Sequence, residues 1–242
     1  MQSFFIWNNK DCRSMGVIMR SPAPIIRPEE RVKHIELPGV AGDMTETEGE
    51  DIYNPYIQTI SISVRGAYNV RNVLKWLRGA GYVTFSGEPD RRQKARIIGA
   101  ITLDKVSRNI DHWAGEVQIY CQPLKELLQE AAATVTATGA AVRNAGDVKA
   151  APVWHVKASG TSFYITAAGE GMADNNTIAV TGTTNNHIYR IDSASMEIID
   201  ENTGNSVTKN SMGHFPLLAP GANTITGSGW SRIEIDKRER YL

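Results

Sequence analysis

The chain has 242 residues, of which 41% are hydrophobic and 21% are charged, and these proportions are ordinary for a soluble globular protein of one or two domains. Its 26 basic and 26 acidic side chains balance, so no excess of positive charge favours stable nucleic-acid binding. The apolar runs are far shorter than the ~20 residues that cross a bilayer, and the N-terminus lacks the features of a signal peptide. We therefore expect neither membrane insertion nor export through a signal peptide.

The region from Pro24 to Asp43 combines dense charge with a strand pattern. Because Pro24 and Pro28 lack backbone donors, the segment is predicted to begin as an extended arm. An imperfect strand follows, which a turn at Pro38-Gly39 ends. Its apolar positions are Val32, Ile35 and Leu37. This composition is typical of a contact element.

The remainder of the first half is predicted to be an α+β domain with antiparallel pairing. Alternating apolar and polar residues predict strands at 59–64, 82–85, 95–103 and 115–121. One amphipathic helix is predicted from Asn69, a candidate N-cap, to Gly79, a C-terminal stop signal. Its apolar face would consist of Val70, Val73, Leu74 and Leu77. The sequence PLKELLQEAAAT at 123–134 indicates a short closing helix.

Beyond residue 133 the pattern changes to short strands separated by Gly, Asn and Pro turns. The predicted strands are VWHVK, SFYITA, TIAVTG, HIYRID, MEIID, FPLL, NTIT and SRIEIDKR. Because stacked sheets hide many strand edges, this pattern predicts an all-β sandwich. We therefore predict a mainly β fold class with two domains, 1–133 and 134–242.

No motif nominates a catalytic or metal site. The five histidines are scattered, and GxSxG, P-loop and complete GxGxxG patterns are absent. Neither ETEGED at 46–51 nor Asp174-Asn175-Asn176 has the spacing of a calcium loop. We expect no enzyme and no cofactor, although a pair of carboxylates for glycoside cleavage cannot be recognised from spacing alone.

Cys12 and Cys121 are the only cysteines. Cys121 alternates in register with Val117 and Ile119, so it is predicted to be a buried structural thiol. A disulfide between the two cysteines is an alternative, but a protein assembled in a reducing cytosol would keep both thiols free.

The chain carries a series of short motifs whose order and spacing match those of one known protein family. They are Trp7-Asn8, Met15-Gly16, IIRPEER at 25–31, IELPGVAGD at 35–43, WLRGAGYVTFSG at 76–87, VQIYCQP at 117–123, VRNAGDVKAAPVWHVKASG at 142–160, FPLLAPGANTITGSG at 215–229 and the terminal RYL. Together they resemble the distal tail protein family of siphovirus-type bacteriophages. The resemblance implies an N-terminal ring-forming domain and a galectin-like or carbohydrate-module-like sandwich outside the ring.

The same resemblance implies partners and a location. Six copies would form a ring that caps the tail tube and serves as hub for tail-tip or baseplate proteins. The implied partners are other copies of the chain, the tail tube protein, and tail-associated lysin, tail fibre or receptor-binding baseplate proteins. The implied location is the tail tip of the virion, with the host cytoplasm as the place of assembly.

The charges of the first domain are segregated, which suggests where subunits meet. The candidate interface residues are Arg27, Glu29, Glu30 and Arg31 in the arm, Glu46, Glu48 and Glu50 in an acidic run, and Arg91, Arg92 and Lys94 in a basic run. A head-to-tail ring needs two different complementary patches on each copy. The alternatives are that both runs are solvated loops, or that the acidic run lines a channel and repels passing DNA.

Trp230 and Arg232 in the last predicted strand are candidate carbohydrate contacts, because aromatic faces with polar neighbours stack on sugars. Alternatively, Trp230 covers the end of the sandwich while Ile233 and Ile235 fill its core. A carbohydrate-binding module for host adhesion is accordingly the alternative function. A cell-wall hydrolase is a weaker rival, because no catalytic group can be named.

Overall fold

The structure, a computed structural model, describes residues 3–39, 41–173 and 176–242. Val40 of the PGVAGD turn lies outside the described residues, as do Asp174 and Asn175 of the candidate calcium triplet. The chain divides into two compact units, Met1–Leu128 with Leu242, and Gln129–Tyr241. The predicted domain boundary between residues 133 and 134 falls inside a strand, Ala133–Val135, and remains a prediction about independent folding.

The first unit is built on an antiparallel sheet with one helix beside it. Its strands are β1 Phe5–Trp7, β2 Lys10–Asp11, β3 Val17–Met19, β4 Val32–Glu36, β5 Asp43–Thr47, β6 Tyr56–Arg65, β7 Ala80–Phe85, β8 Arg91–Ile98, β9 Leu103–Lys105 and β10 His112–Leu127; the helix α1 is Ala67–Trp76, and a 3-10 turn spans Cys12–Met15. The sheet order is β2-β1-β7-β8-β10-β6-β3, with β9 also paired to β10, while β4 and β5 form a separate hairpin.

The inner face of this sheet forms the core of the first unit, and α1 packs against it. The apolar side of the alternation in β6 is confirmed, because Ile60, Ile62 and Val64 are buried; on the predicted polar side Thr59 is exposed, but Ser63 is buried as well. Phe5 stacks on Trp76 of α1, with ring centroids 5.6 Å apart. Other buried members are Trp7, Cys12, Val17, Val73, Leu77, Val83, Val117, Ile119 and Cys121. Both cysteines are free, buried thiols, and burial raises the pKa of Cys121 to about 12.

The start of α1 differs from the prediction. The N-cap residue is Gly66, not Asn69, and its backbone conformation has φ 88°, which favours glycine. The capping carboxylate comes from Asp111, whose Oδ2 accepts the N–H of Ala67 at 2.8 Å. This bond, together with one from Trp113, lowers the pKa of Asp111. Leu74, predicted to face the core, is 39% exposed.

The closing helix predicted at 123–134 is wrong. Strand β10 continues through Pro123 to Leu127, and its register with β8 shifts between Cys121 and Lys125. A bulge accommodates a proline that cannot donate to the ladder. Pairing with β8 thus overrides the local helix propensity. The predicted strand at 95–103 is also divided, into β8 and β9.

The second unit is a sandwich of two antiparallel sheets, which confirms the mainly β fold class. Its strands are β11 Ala133–Val135, β12 Ala140–Asn144, β13 Val153–Ala158, β14 Ser162–Gly169, β15 Thr177–Thr181, β16 Ile188–Asp192, β17 Glu197–Asp200, β18 Ser211–Gly213, β19 Gly221–Ser228 and β20 Trp230–Asp236, with a 3-10 turn at Thr208–Asn210. A last short strand, β21 Arg240–Tyr241, belongs to neither sheet of the sandwich. The sheet orders are β11-β20-β13-β16-β17 and β12-β19-β14-β15-β18. Inward side chains of both sheets, such as Trp154, Ile165 and Ile225, form the core.

The predicted FPLL strand is instead an irregular segment with one isolated bridge, Ala150↔Leu218. Side chains satisfy its backbone groups in place of a neighbouring strand. Asn176 accepts the N–H of Leu217 at 2.9 Å and donates to its carbonyl at 2.9 Å. Asn223 does the same for Ala219, at 2.8 Å in each direction. A buried segment can therefore depart from regular structure without losing its hydrogen bonds.

Candidate subunit interface

The arm leaves the sheet after β3 and leads to the hairpin of β4 and β5. Its predicted interface residues Arg27, Glu29 and Glu30 are exposed, whereas Pro28 is buried. At the base of the hairpin, the N–H of Asn54 donates to the Glu29 carbonyl at 2.7 Å. Arg31 Nε donates to Asn54 Oδ1 at 3.1 Å. The arm is therefore fixed at the point where the hairpin begins.

The hairpin, residues 32–47, forms a two-stranded sheet that is separate from the main sheet of the first unit. Every residue of β5 is exposed. An isolated two-stranded hairpin is at best marginally stable in water. This element therefore has the properties of a surface that is completed by another molecule.

The acidic run is divided between β5 and the turn that follows it. Glu46 lies opposite Lys33 in the register. Glu48 Oε2 lies 3.9 Å from Arg31 Nε, a loose and exposed ion pair, and Glu50 lies in the exposed turn. The alternative that the whole acidic run is a loop is therefore wrong for its β5 part.

The basic run is strand β8, and its first two members are engaged within the unit. Arg91 Nη1 lies 3.0 Å from Glu88 Oε1, and the other oxygen of Glu88 lies 2.7 Å from Lys125 Nζ. Arg92 Nη2 lies 3.4 Å from Glu126 Oε2. The solvated-loop alternative does not hold for this run either.

Lys94 and Arg96 differ from these arginines. Both side chains are exposed, and among the described residues neither forms an ion pair with a carboxylate. They lie on the outer face of the sheet, opposite the face that carries Gln93 and Ala95 into the unit. Lys94 is predicted as an interface residue by its charge; its freedom to bind a partner follows only from the structure.

Two tyrosines on the same face were missed in the sequence. Tyr82 pairs with Lys94 across β7 and β8, and Tyr120 pairs with Arg96 across β10 and β8. Together with Gln122 they line an open groove of about 480 Å³, which we call the basic groove. Alternation in YVTF and VQIYC predicts that these tyrosines face away from the core, but not that the strands are neighbours.

The structure keeps the two halves of the predicted interface apart within one copy. Glu46 is exposed on the hairpin and Glu48 in the turn after it, whereas Lys94 is exposed on the basic groove, and the ion pairs of the described residues do not link them. A contact between these charges therefore requires a second molecule.

The candidate sugar contacts lie at the edge of the sandwich. Trp230 is half-buried and packs against the core, and its indole Nε1 has no hydrogen-bond partner among the described residues. Arg232 is exposed and forms an ion pair with Glu234. Ile233 and Ile235 are fully buried, as the core-filling alternative predicts.

Membrane-spanning helices and metal-binding clusters are two further features to consider in the described ranges. They contain no helix long and apolar enough to cross a membrane and no group of three or more His, Cys, Asp or Glu side chains that would hold a metal ion. His155 lies 3.0 Å from Glu201 and 3.6 Å from Asp236.

Comparison with known proteins identifies a phage tail hub protein as a structural neighbour. No family model matches the sequence, and no curated protein matches it significantly. One similar solved structure is that of SPP1 Dit (gp 19.1), described as a paradigm of the hub adsorption apparatus in phages that infect Gram-positive bacteria. It is 17% identical, with a TM-score of 0.79 over 100% of both chains. The distal tail protein fold predicted from the sequence motifs is thus confirmed.

Proposed function

We propose that this chain is a non-enzymatic structural component of a siphophage or prophage-derived tail tip. Six copies form a ring that caps the tail tube and serves as hub for tail-tip or baseplate proteins. The protein is located at the tail tip of the virion after assembly in the host cytoplasm. It acts by self-association and docking.

The observation that carries this proposal is the fold likeness to SPP1 Dit over the full length of both chains, with a TM-score of 0.79. The likeness covers both units, so it includes the sheet with its projecting hairpin as well as the sandwich. Fold alone does not define function, and the exposed hairpin adds an independent reason to expect assembly.

The charge distribution supports a head-to-tail contact. Arg27, Glu29, Glu30 and Arg31 in the arm, and Glu46, Glu48 and Glu50 in the acidic run, would form one patch. Arg91, Arg92 and Lys94 would form the other. Two different patches on each copy are what a closed ring requires. Interfaces of this kind resemble ordinary protein surface in polarity, so the balanced composition of the chain is consistent with the proposal.

Electron microscopy of the purified chain, alone and mixed with the neighbouring tail proteins, tests the proposal. Six-fold rings in either sample would support it. The mixed sample is needed because a partner that binds the ring stabilises it by mass action. Particles of another symmetry, or monomers in both samples, would contradict the hexameric ring.

Carbohydrate binding by the sandwich remains a separate prediction for Trp230 and Arg232. Half-burial of Trp230 leaves part of its ring accessible for stacking. We expect saturable quenching of tryptophan fluorescence by host wall polysaccharide, lost in Trp230→Ala, if this prediction is correct. Unchanged fluorescence at saturating polysaccharide would reject it.

A further inference from the structure

The basic groove lacks a partner in the isolated chain. Its floor is formed by Tyr82 and Tyr120, and its charge by Lys94 and Arg96. Arg92 is placed at its edge, with its guanidinium 4.5 Å from the centre of the Tyr82 ring, and its charge is partly neutralised by Glu126. Tyrosine and arginine are enriched at protein interfaces. The groove therefore fits a segment that is both apolar and acidic.

The hairpin supplies a segment of that composition. Cross-strand pairing places Ile35 beside Met44, and Lys33 beside Glu46, so these four side chains share one face. Met44 is 57% exposed, and Leu37, at the tip end of the same face, is 44% exposed. The other face carries His34 and Asp43, whose Nδ1 and Oδ2 atoms lie 2.5 Å apart. One face of the hairpin thus carries exposed apolar side chains next to the charged pair Lys33 and Glu46, while the other face contains the internal pair of His34 and Asp43.

We propose that the basic groove of one copy receives the apolar face of the hairpin of a second copy. Met44 and Ile35 lie over Tyr82 and Tyr120, and Glu46 lies beside Lys94 and Arg96. The inference rests on the proposed function, because it specifies the contact from which the ring is built.

Several features favour the hairpin of a second copy as the segment that binds in the basic groove. Methionine sulfur makes favourable contacts with aromatic rings, and acidic residues outnumber basic ones along the hairpin and the turn to Asp51. Lys33, directly opposite Glu46 on the docking face, weakens the attraction. The hairpin of the same copy does not fill the groove, since β5 is exposed throughout. Hairpin and groove are different surfaces, so their contact is heterologous and propagates around a ring.

The first test uses the wild-type chain. Unlabelled and ¹⁵N-labelled copies are mixed at high salt, where charge pairs are screened, dialysed into low salt and treated with a zero-length carbodiimide cross-linker. Mass spectrometry then searches for a link between Lys94 and Glu46 or Glu48 that joins a labelled to an unlabelled peptide. We expect this mixed link, and its loss at high salt.

The second test uses charge reversal in trans. Lys94→Glu places a carboxylate opposite Glu46 of the second copy, and Glu46→Lys places an ammonium group opposite Lys94. Each variant alone should associate at least ~10-fold more weakly than wild type, while a 1:1 mixture should recover wild-type association because opposite charges then face each other. Lys157→Glu, an exposed strand position of the sandwich, is the matched control and should have no effect. Circular dichroism confirms that each variant is folded.

The outcomes separate this inference from the proposed function. Rings without the Lys94 link would overturn the inference and leave the ring standing. The mixed link in dimers or filaments without rings would support the inference and contradict the hexamer. Absence of both the link and the rings would overturn the inference. Wild-type association of the single variants, or a mixture that fails to recover although both variants fold, would overturn it too.

Discussion

At the scale of single residues, buried amides explain how an irregular segment crosses the sandwich. Asn223 is 1% exposed; its Oδ1 accepts the N–H of Ala219 at 2.8 Å, while its Nδ2 donates to the carbonyls of Ala219 and Gly221 at 2.8 and 3.3 Å. The FPLL motif is apolar enough to suggest a strand. The sequence does not show that the amide of Asn176, which bonds both backbone groups of Leu217, takes over the role of a strand neighbour for this motif.

We predict that Asn223→Ala lowers the free energy of unfolding by about 2 kcal/mol, because it leaves buried backbone groups without partners. The measurement is denaturant unfolding followed by circular dichroism. Asn205→Ala, at an exposed turn position, is the matched control and should change stability by less than about 0.5 kcal/mol. Equal effects of the two substitutions would contradict the assigned role of Asn223.

A second residue-scale feature explains the Trp7-Asn8 motif. Asn8 adopts φ 48° in the turn between β1 and β2, a conformation that asparagine tolerates. Its Oδ1 accepts the N–H of Tyr82 at 2.9 Å. A Cβ atom at Gly81 would overlap the Asn8 side chain, so Gly81 is required for the approach of β1 to β7.

Gly81→Ala is therefore expected to destabilise the first unit by about 2 kcal/mol through overpacking, and to shift the thermal midpoint downward. Gly160→Ala provides the control, because the nearest atom to a Cβ there is 4.0 Å away. Differential scanning calorimetry of both variants, which measures their thermal midpoints, tests this prediction. A Gly81→Ala variant as stable as wild type would show that β1 can move away from β7 at little cost.

At the scale of elements, the sequence predicted those whose pattern is local. The alternation in β6 and the helical spacing around Val73 were sufficient, because one buried face determines each pattern. The predictions that failed depend on neighbours distant in sequence. Asp111 caps α1 from another loop, and β8 keeps residues 123–127 in a strand although their composition favours a helix.

The candidate interface was likewise only partly predictable from the sequence. Segregated charge in the sequence located both the acidic and the basic run. It did not show that Glu88 and Glu126 hold Arg91 and Arg92, because these pairs depend on the neighbouring strand and turn. The role of Tyr82 and Tyr120 also depends on the order of strands in the sheet, which pattern alone does not specify.

At the scale of the whole molecule, the proposed function requires that copies close into a ring through the hairpin. Replacement of residues 32–47 by a short glycine-serine link isolates this property. The base of the hairpin is already closed, since the N–H of Arg31 donates to the Ile52 carbonyl at 2.9 Å. The variant should retain its core because β5 is exposed throughout.

Native mass spectrometry of the wild-type chain and the hairpin-replacement variant, each with and without the neighbouring tail proteins, tests the ring most directly. We predict a wild-type assembly of six times the chain mass, and a folded monomer for the variant under the same conditions. A wild-type chain that never forms a six-copy species, or a variant that forms one as readily as wild type, would contradict the account.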